Sequence, residues 1–194
     1  MIKLDNLFWD SCVFIRYLTG NPDHRLTDIG EFIRDAQKGQ RRIWFSTIAF
    51  TEIRPSHLKL KGYGSVADFM EDMAGAFTPI DPNPNILMMA GEMRDVRPLH
   101  PQADPKAQQR TLGTPDAIHL ASCLHVRDVL GVQDIVFHTF DNGKGSVWEG
   151  KCVPLLSFQD WYKNGKSHQH IAAVCALPRK EPIYPQLGLF AGTT

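Results

Sequence analysis

Short apolar runs alternate along this chain with longer stretches whose apolar residues recur at helical spacing. Residues 4–9 (LDNLFW) read as a strand ending at Asp10. Asp10 or Ser11 can cap the helix that follows, where Val13, Phe14, Tyr17 and Leu18 share a face until Gly20-Asn21-Pro22 stops it. Residues 26–38 predict an amphipathic helix with Ile29, Phe32, Ile33 and Ala36 on one side and Gly39 closing its end. Ile43, Trp44 and Phe45 make a second β-type run. Ser46 or Thr47 then opens a helix that carries Glu52 and is ended or bent by Pro55.

Helical spacing returns at residues 64–76 and 85–96, with Met88 and Met89 assigned to the core and a weaker strand signal at 77–80 between them. Residues 97–113 are polar and proline-rich, a loop long enough to suggest a role at a substrate. TPDAIHLA, residues 114–121, starts an apolar helix running to about residue 130. Thr114 suits the N-cap and Pro115 the first helical position, so Asp116 falls in the first turn, where the helix dipole favours a carboxylate. Residues 135–140 (IVFHTF) are the clearest strand, ending at Asp141-Asn142-Gly143, and a last short strand is expected at 151–156. Residues 1–156 thus form one domain. Residues 157–194, without clear period, read as a C-terminal extension packed on the domain or partly flexible.

Strands alternating with helices predict an α/β fold with a mainly parallel central sheet. Ligands of open α/β sheets bind beyond the carboxyl ends of the strands. Asp10 and Asp141 end strands at that edge, Glu52 lies two turns into the helix after the second strand, and Asp116 opens the helix before the fourth.

Composition narrows the class. The chain has 194 residues, 43% hydrophobic and 22% charged, enough apolar material for a real core and too much for disorder as the main state. Its 21 basic and 21 acidic residues cancel, which argues against binding through one large basic field. If four acids are neutralised by metal, the remainder carries four more basic than acidic residues. Cys12, Cys123, Cys152 and Cys175 are far apart and form no Cys-x-x-Cys, so a zinc ribbon or redox dithiol has no spacing to rest on. No apolar run approaches the ~18 residues of a membrane span, and the N-terminus is charged where a signal peptide would be apolar. A cytoplasmic protein with reduced thiols is expected.

Carboxylates gathered in one cleft repel unless protonated or neutralised by a cation. Oxygen-only donors suit Mg²⁺ or Mn²⁺, which polarise phosphoryl oxygens and activate water for in-line attack. Taken singly, Asp10 and Asp116 are explained as helix-start acids and Asp141 as a turn residue; Glu52, amid Phe50, Thr51 and Ile53, is harder to dismiss. His119 reads as a core or supporting histidine rather than a ligand. His168 and His170 lack a third ligand at useful spacing and read as a solvated tail. An acid-cluster phosphatase of the haloacid-dehalogenase type wants Asp-x-Asp after the first strand, and Cys12 occupies that second position.

Asp10-Ser11 before an apolar helix, FSTIAFTEI with Glu52, TPDAIHLAS with Asp116, and FHTFD ending at Asp141 together resemble PIN domains, most of all the small ribonuclease toxins of the VapC type. The resemblance spans about residues 4–155. It implies a three-layer α/β/α sandwich and a Mg²⁺- or Mn²⁺-dependent endoribonuclease, with Asp10, Glu52, Asp116 and Asp141 as catalytic, metal-binding acids. Ser11 and Thr139 match the family's hydroxyl positions, and Asn142 stands beside the last acid as a supporting residue. RNA, a cognate antitoxin protein and a second copy of the chain are the implied partners. Arg54, Arg94 and Arg97 are the first candidates for RNA phosphate contacts. One departure stands out: many members carry a further acid two positions after the last one, where this chain has Gly143. That departure motivates an alternative, a PIN-like scaffold that binds RNA or a protein partner with little or no catalysis.

Overall fold

A computed structural model describes residues 4–20, 25–99, 110–144, 151–162 and 168–185. Among them, strands β1 (Asp5–Trp9), β2 (Arg41–Ser46), β3 (Phe77–Ile80), β4 (Val136–His138) and β5 (Arg179–Lys180) form one all-parallel sheet in the order β3-β2-β1-β4-β5. Between β1 and β3 the chain makes α1 (Ser11–Thr19), α2 (Arg25–Gln37), α3 (Ala49–Glu52), α4 (Pro55–Leu60) and α5 (Val66–Asp72). The later helices are α6 (Pro84–Asp95), α7 (Thr114–Asp128), α8 (Phe158–Trp161) and α9 (Gln169–Ala176).

Successive side chains of a strand point to opposite faces of the sheet, and the apolar strands use both. Leu7, Trp9, Ile43 and Phe45 join a buried cluster with Val13 and Phe14 of α1, Ile29 and Phe32 of α2, and Phe69 of α5. Phe8, Trp44 and Phe137 join a second cluster with Ile86 and Met93 of α6, Leu120 and Leu124 of α7, and Val174 of α9. Two cores with the sheet between them make a three-layer α/β/α sandwich. Phe8 and Phe137 stack across the β1–β4 pair with ring centroids 5.6 Å apart, and burying each ring contributes about 1.5–3 kcal/mol.

Local signals set most element ends. Gly20 takes φ 65° after α1, a left-handed conformation that favours glycine. The Ser65 hydroxyl caps α5 through the Asp68 amide, and the Asn83 side chain caps α6 through the Ile86 amide.

Several expectations need correction. Pro55 opens α4 at its first turn instead of ending the Glu52 helix, as suits a residue without an N–H. The helix expected from Ser46 or Thr47 is the single turn α3, because Ser46 still pairs in β2 with Ile80 of β3. Thr114 is inside α7; Gly113 precedes it, and its carbonyl accepts from the Ala117 amide at 2.9 Å. Residues 151–156 form no strand: Thr111 and Cys152 make only an isolated bridge. Met88 is exposed on α6, while Met89 packs on the core. Residues 100–109 of the expected loop, and residues 191–194, lie outside the described residues.

Described residues after 156 enter the same core. Phe158, Trp161, Tyr162, Ile171 and Leu177 are buried in the α6–α7 cluster, and β5 extends the sheet beside β4. Among the described residues no helix is long and apolar enough to cross a membrane.

Candidate functional site

β1 ends at Trp9, and the carboxylate of the next residue, Asp10, is held by neighbours in the first turn of α1 and just beyond the end of β4. Oδ1 accepts from the Ser11 amide at 2.8 Å and so caps α1. Oδ2 accepts from the Thr139 hydroxyl at 2.7 Å and from the Cys12 thiol at 3.0 Å. The Asp10 amide donates to the His138 carbonyl at 3.1 Å, joining the ends of β1 and β4. These two strands flank the point where the sheet order reverses: β2 and β3 extend to one side, β4 and β5 to the other. In doubly wound sheets that crevice is where ligands bind.

Thr139, fully buried, also links the last acid to the first. Its hydroxyl accepts from the Asp141 amide at 3.0 Å while donating to Asp10. The Asp141 carboxylate accepts from the Gly143 amide at 2.9 Å through Oδ1 and from the Leu155 amide at 3.0 Å through Oδ2. Gly143 turns with φ 72°, and a Cβ there would lie 2.5 Å from Pro154 and 2.6 Å from the Arg110 guanidinium. The position two residues after Asp141 is therefore closed to any side chain, an acid included.

Glu52 ends the single turn of α3, and Asp116 lies in the first turn of α7. His119, one turn beyond Asp116 and fully buried, meets Glu52: its Nε2 is 3.0 Å from Oε2. A carboxylate oxygen only accepts, so this nitrogen carries the proton. The same Nε2 stands 3.7 Å from Asp10 Oδ1. Burial works against the His119 imidazolium, yet the Glu52 hydrogen bond and the charges of Asp10, Glu52 and Asp116 outweigh it and raise the pKa. Burial likewise pushes the Glu52 carboxyl up, but the bond and charge of His119, aided by the Ser11 hydroxyl, leave it lowered.

Asp116 has no such partner. Although the residue keeps part of its surface, burial of the carboxyl, with Asp10 and Asp141 adding to it, pushes its pKa from 3.8 up to about 8. The carboxyl folds back over Gly113, where a Cβ would lie 2.5 Å from Oδ2. Burial, then Asp10, also raise the Cys12 thiol, which stays neutral and accepts from the Phe140 amide at 3.1 Å.

Asp10, Ser11, Glu52, Asp116, Thr139 and Asp141 thus gather at one edge of the sheet. Asn142 does not join them: it is exposed, and its Oδ1 closes a turn by accepting from the Lys144 amide at 3.0 Å. Arg94 donates to the Leu112 carbonyl at 3.4 Å, while Arg54 and Arg97 are exposed. Sequence reasoning gave no role to Cys12, Gly113 or the Leu155 amide, all of which touch the acids or make room for them. Only the glycine immediately before TPDAIHLA offered a signal.

Among the described residues no group of three or more His, Cys, Asp or Glu side chains stands arranged to hold a metal ion. The donor chemistry nevertheless fits a hard divalent cation: the acids offer only oxygen, and the Asp116 carboxyl, raised first by burial, is raised further by two neighbouring carboxylates whose charge a cation would offset. The chain matches no family model and no curated protein.

Proposed function

We propose that the protein is a Mg²⁺- or Mn²⁺-dependent endoribonuclease that hydrolyses RNA phosphodiester bonds at Asp10, Glu52, Asp116 and Asp141. The observation that carries this is the convergence of four acids, from four separate segments, on the switch point of a parallel sheet. The nearby Cys12 thiol does not compete as a nucleophile, since burial and then Asp10 keep it protonated.

Asp10, Glu52, Asp116 and Asp141 would hold the cation. When bound it supplies Lewis-acid polarisation of a phosphoryl oxygen and activation of the attacking water. The chain's own residues keep the acids in place: Ser11 and Thr139 fix the two oxygens of Asp10, and the Gly143 and Leu155 amides fix those of Asp141. Arg54, Arg94 and Arg97 are the proposed contacts to RNA phosphates, which set position and not sequence. The likeness of the four acidic runs to VapC-type toxins extends the proposal to a toxin with a cognate antitoxin, acting as a homodimer.

A second reading, a scaffold binding RNA or protein without catalysis, is favoured by the closed position at Gly143 and the engaged oxygens of Asp141. Incubating purified protein with labelled RNA and Mn²⁺ separates the two. The nuclease reading expects internal cleavage that EDTA stops and that Asp10→Asn abolishes in a folded protein. RNA binding without cleavage at millimolar Mn²⁺ would establish the scaffold instead.

A further inference from the structure

We propose that His119 is the positioning residue of this carboxylate site, holding Glu52 through its Nε2–H; the inference rests on the metal-dependent reading above. Glu52 is poorly held by its own element. It ends a four-residue helix, its side chain keeps 28% of its surface, and a free Glu side chain samples many rotamers. His119 is the opposite. It sits on the fifteen-residue α7, fully buried within the run Ala117 to Leu124 in which every residue is buried.

The imidazole does not serve merely as core filler. Its Nδ1 is buried without a hydrogen-bond partner, a cost that an apolar side chain at this position would not carry. Its Nε2 makes the 3.0 Å bond to Glu52, and at 3.7 Å Asp10 is beyond hydrogen-bond reach. The ring therefore transfers the rigidity of α7 to one oxygen of Glu52, and Glu52 is held at the edge where Asp10 already stands. Carboxylates that ligate metals are themselves oriented by hydrogen-bonded partners, and loss of such a partner lowers metal affinity by about 10–100-fold.

Two measurements test this. Imidazole ¹⁵N NMR of the metal-free wild type should show hydrogen on Nε2 of His119; an Nε2 without hydrogen overturns the proposal. Mn²⁺ titration calorimetry should then show His119→Leu weakened by about 10–100-fold. His119→Gln, whose amide nitrogen reaches the place of Nε2, should recover most of that loss, and the shorter His119→Asn should not. In a Glu52→Gln background His119→Leu should add no further loss, because the histidine acts through Glu52. Equal Mn²⁺ affinity of wild type and His119→Leu, or additive losses in the double variant, overturns the positioning role alone. Absence of Mn²⁺ binding by the wild type overturns the nuclease reading and this role with it. Should His119→Leu fail to fold, the Gln and Asn pair decides: equal affinities overturn the proposal.

Discussion

Replacing Asp116 with Asn should stabilise the metal-free protein at neutral and alkaline pH while removing the site's capacity for a cation. Burial, then the charges of Asp10 and Asp141, raise this carboxyl from 3.8 to about 8. In the unfolded chain it ionises near pH 4, so from there to about pH 8 the folded state holds a proton that the unfolded state has released. A raised folded pKa contributes stability that is fully present below the unfolded value and lost as pH climbs through the folded one. About four tenfold steps at about 1.4 kcal/mol each set a ceiling of about 6 kcal/mol. The effective dielectric of real protein sites lowers the expected effect to about 2–4 kcal/mol. Urea denaturation in EDTA at pH 5, 7 and 9 measures it. The gap between Asp116→Asn and wild type should widen with pH, and Mn²⁺ should stabilise the wild type alone. A variant no more stable than wild type at pH 9, or a gap independent of pH, refutes the claim that burial and the neighbouring acids hold this carboxyl protonated in the folded state.

Gly113→Ala keeps an ordinary backbone conformation, φ −59°, but sets a Cβ 2.5 Å from Asp116 Oδ2; calorimetry should show Mn²⁺ binding lost while the melting temperature changes little. Thr139→Val preserves shape but leaves the half-buried Asp141 amide and the buried Asp10 oxygen without their shared hydroxyl, so denaturation should show a loss of about 1–3 kcal/mol. His138 is buried against Phe32 with neither ring nitrogen hydrogen-bonded, and burial, then Lys180 and Arg41, lower its pKa to about 3. A depressed histidine loses stability as pH falls from 6.5 toward 3, because the unfolded chain takes up the proton first. His138→Phe should therefore flatten that part of the acid limb in a pH-dependent denaturation series, and an unchanged limb would count against the buried neutral ring.

The apolar runs at 4–9 and 43–45 were legible as strands because strands buried on both faces are written in nearly continuous apolar residues. Gly20 marked a real helix end, since left-handed backbone is a local requirement. Asp10 announced itself as a strand-end cap for the same reason. Where the signal failed, distant contacts decided. Residues 151–156 have strand-like composition, yet they spend their backbone on Thr111 and the Asp141 carboxylate. The two-residue β5 has no signal of its own, and pairing with β4 makes it a strand.

By itself, then, the sequence determined which segments are apolar on one face or both, where the chain turns, and that acids stand near strand ends, because these follow from short-range periodicity and caps. That β4 pairs with β1 and not with its predecessor β3 is set by tertiary packing. That single choice opens the crevice and lets one Thr139 hydroxyl join Asp10 to Asp141 across about 130 residues of chain, while α7 packed on β2 brings His119 to Glu52 from 67 residues away. Its physical reason is long-range: α6 and α7 must cover the sheet face that Phe8 and Trp44 present, and burying that face carries the next strand back to the far side of β1.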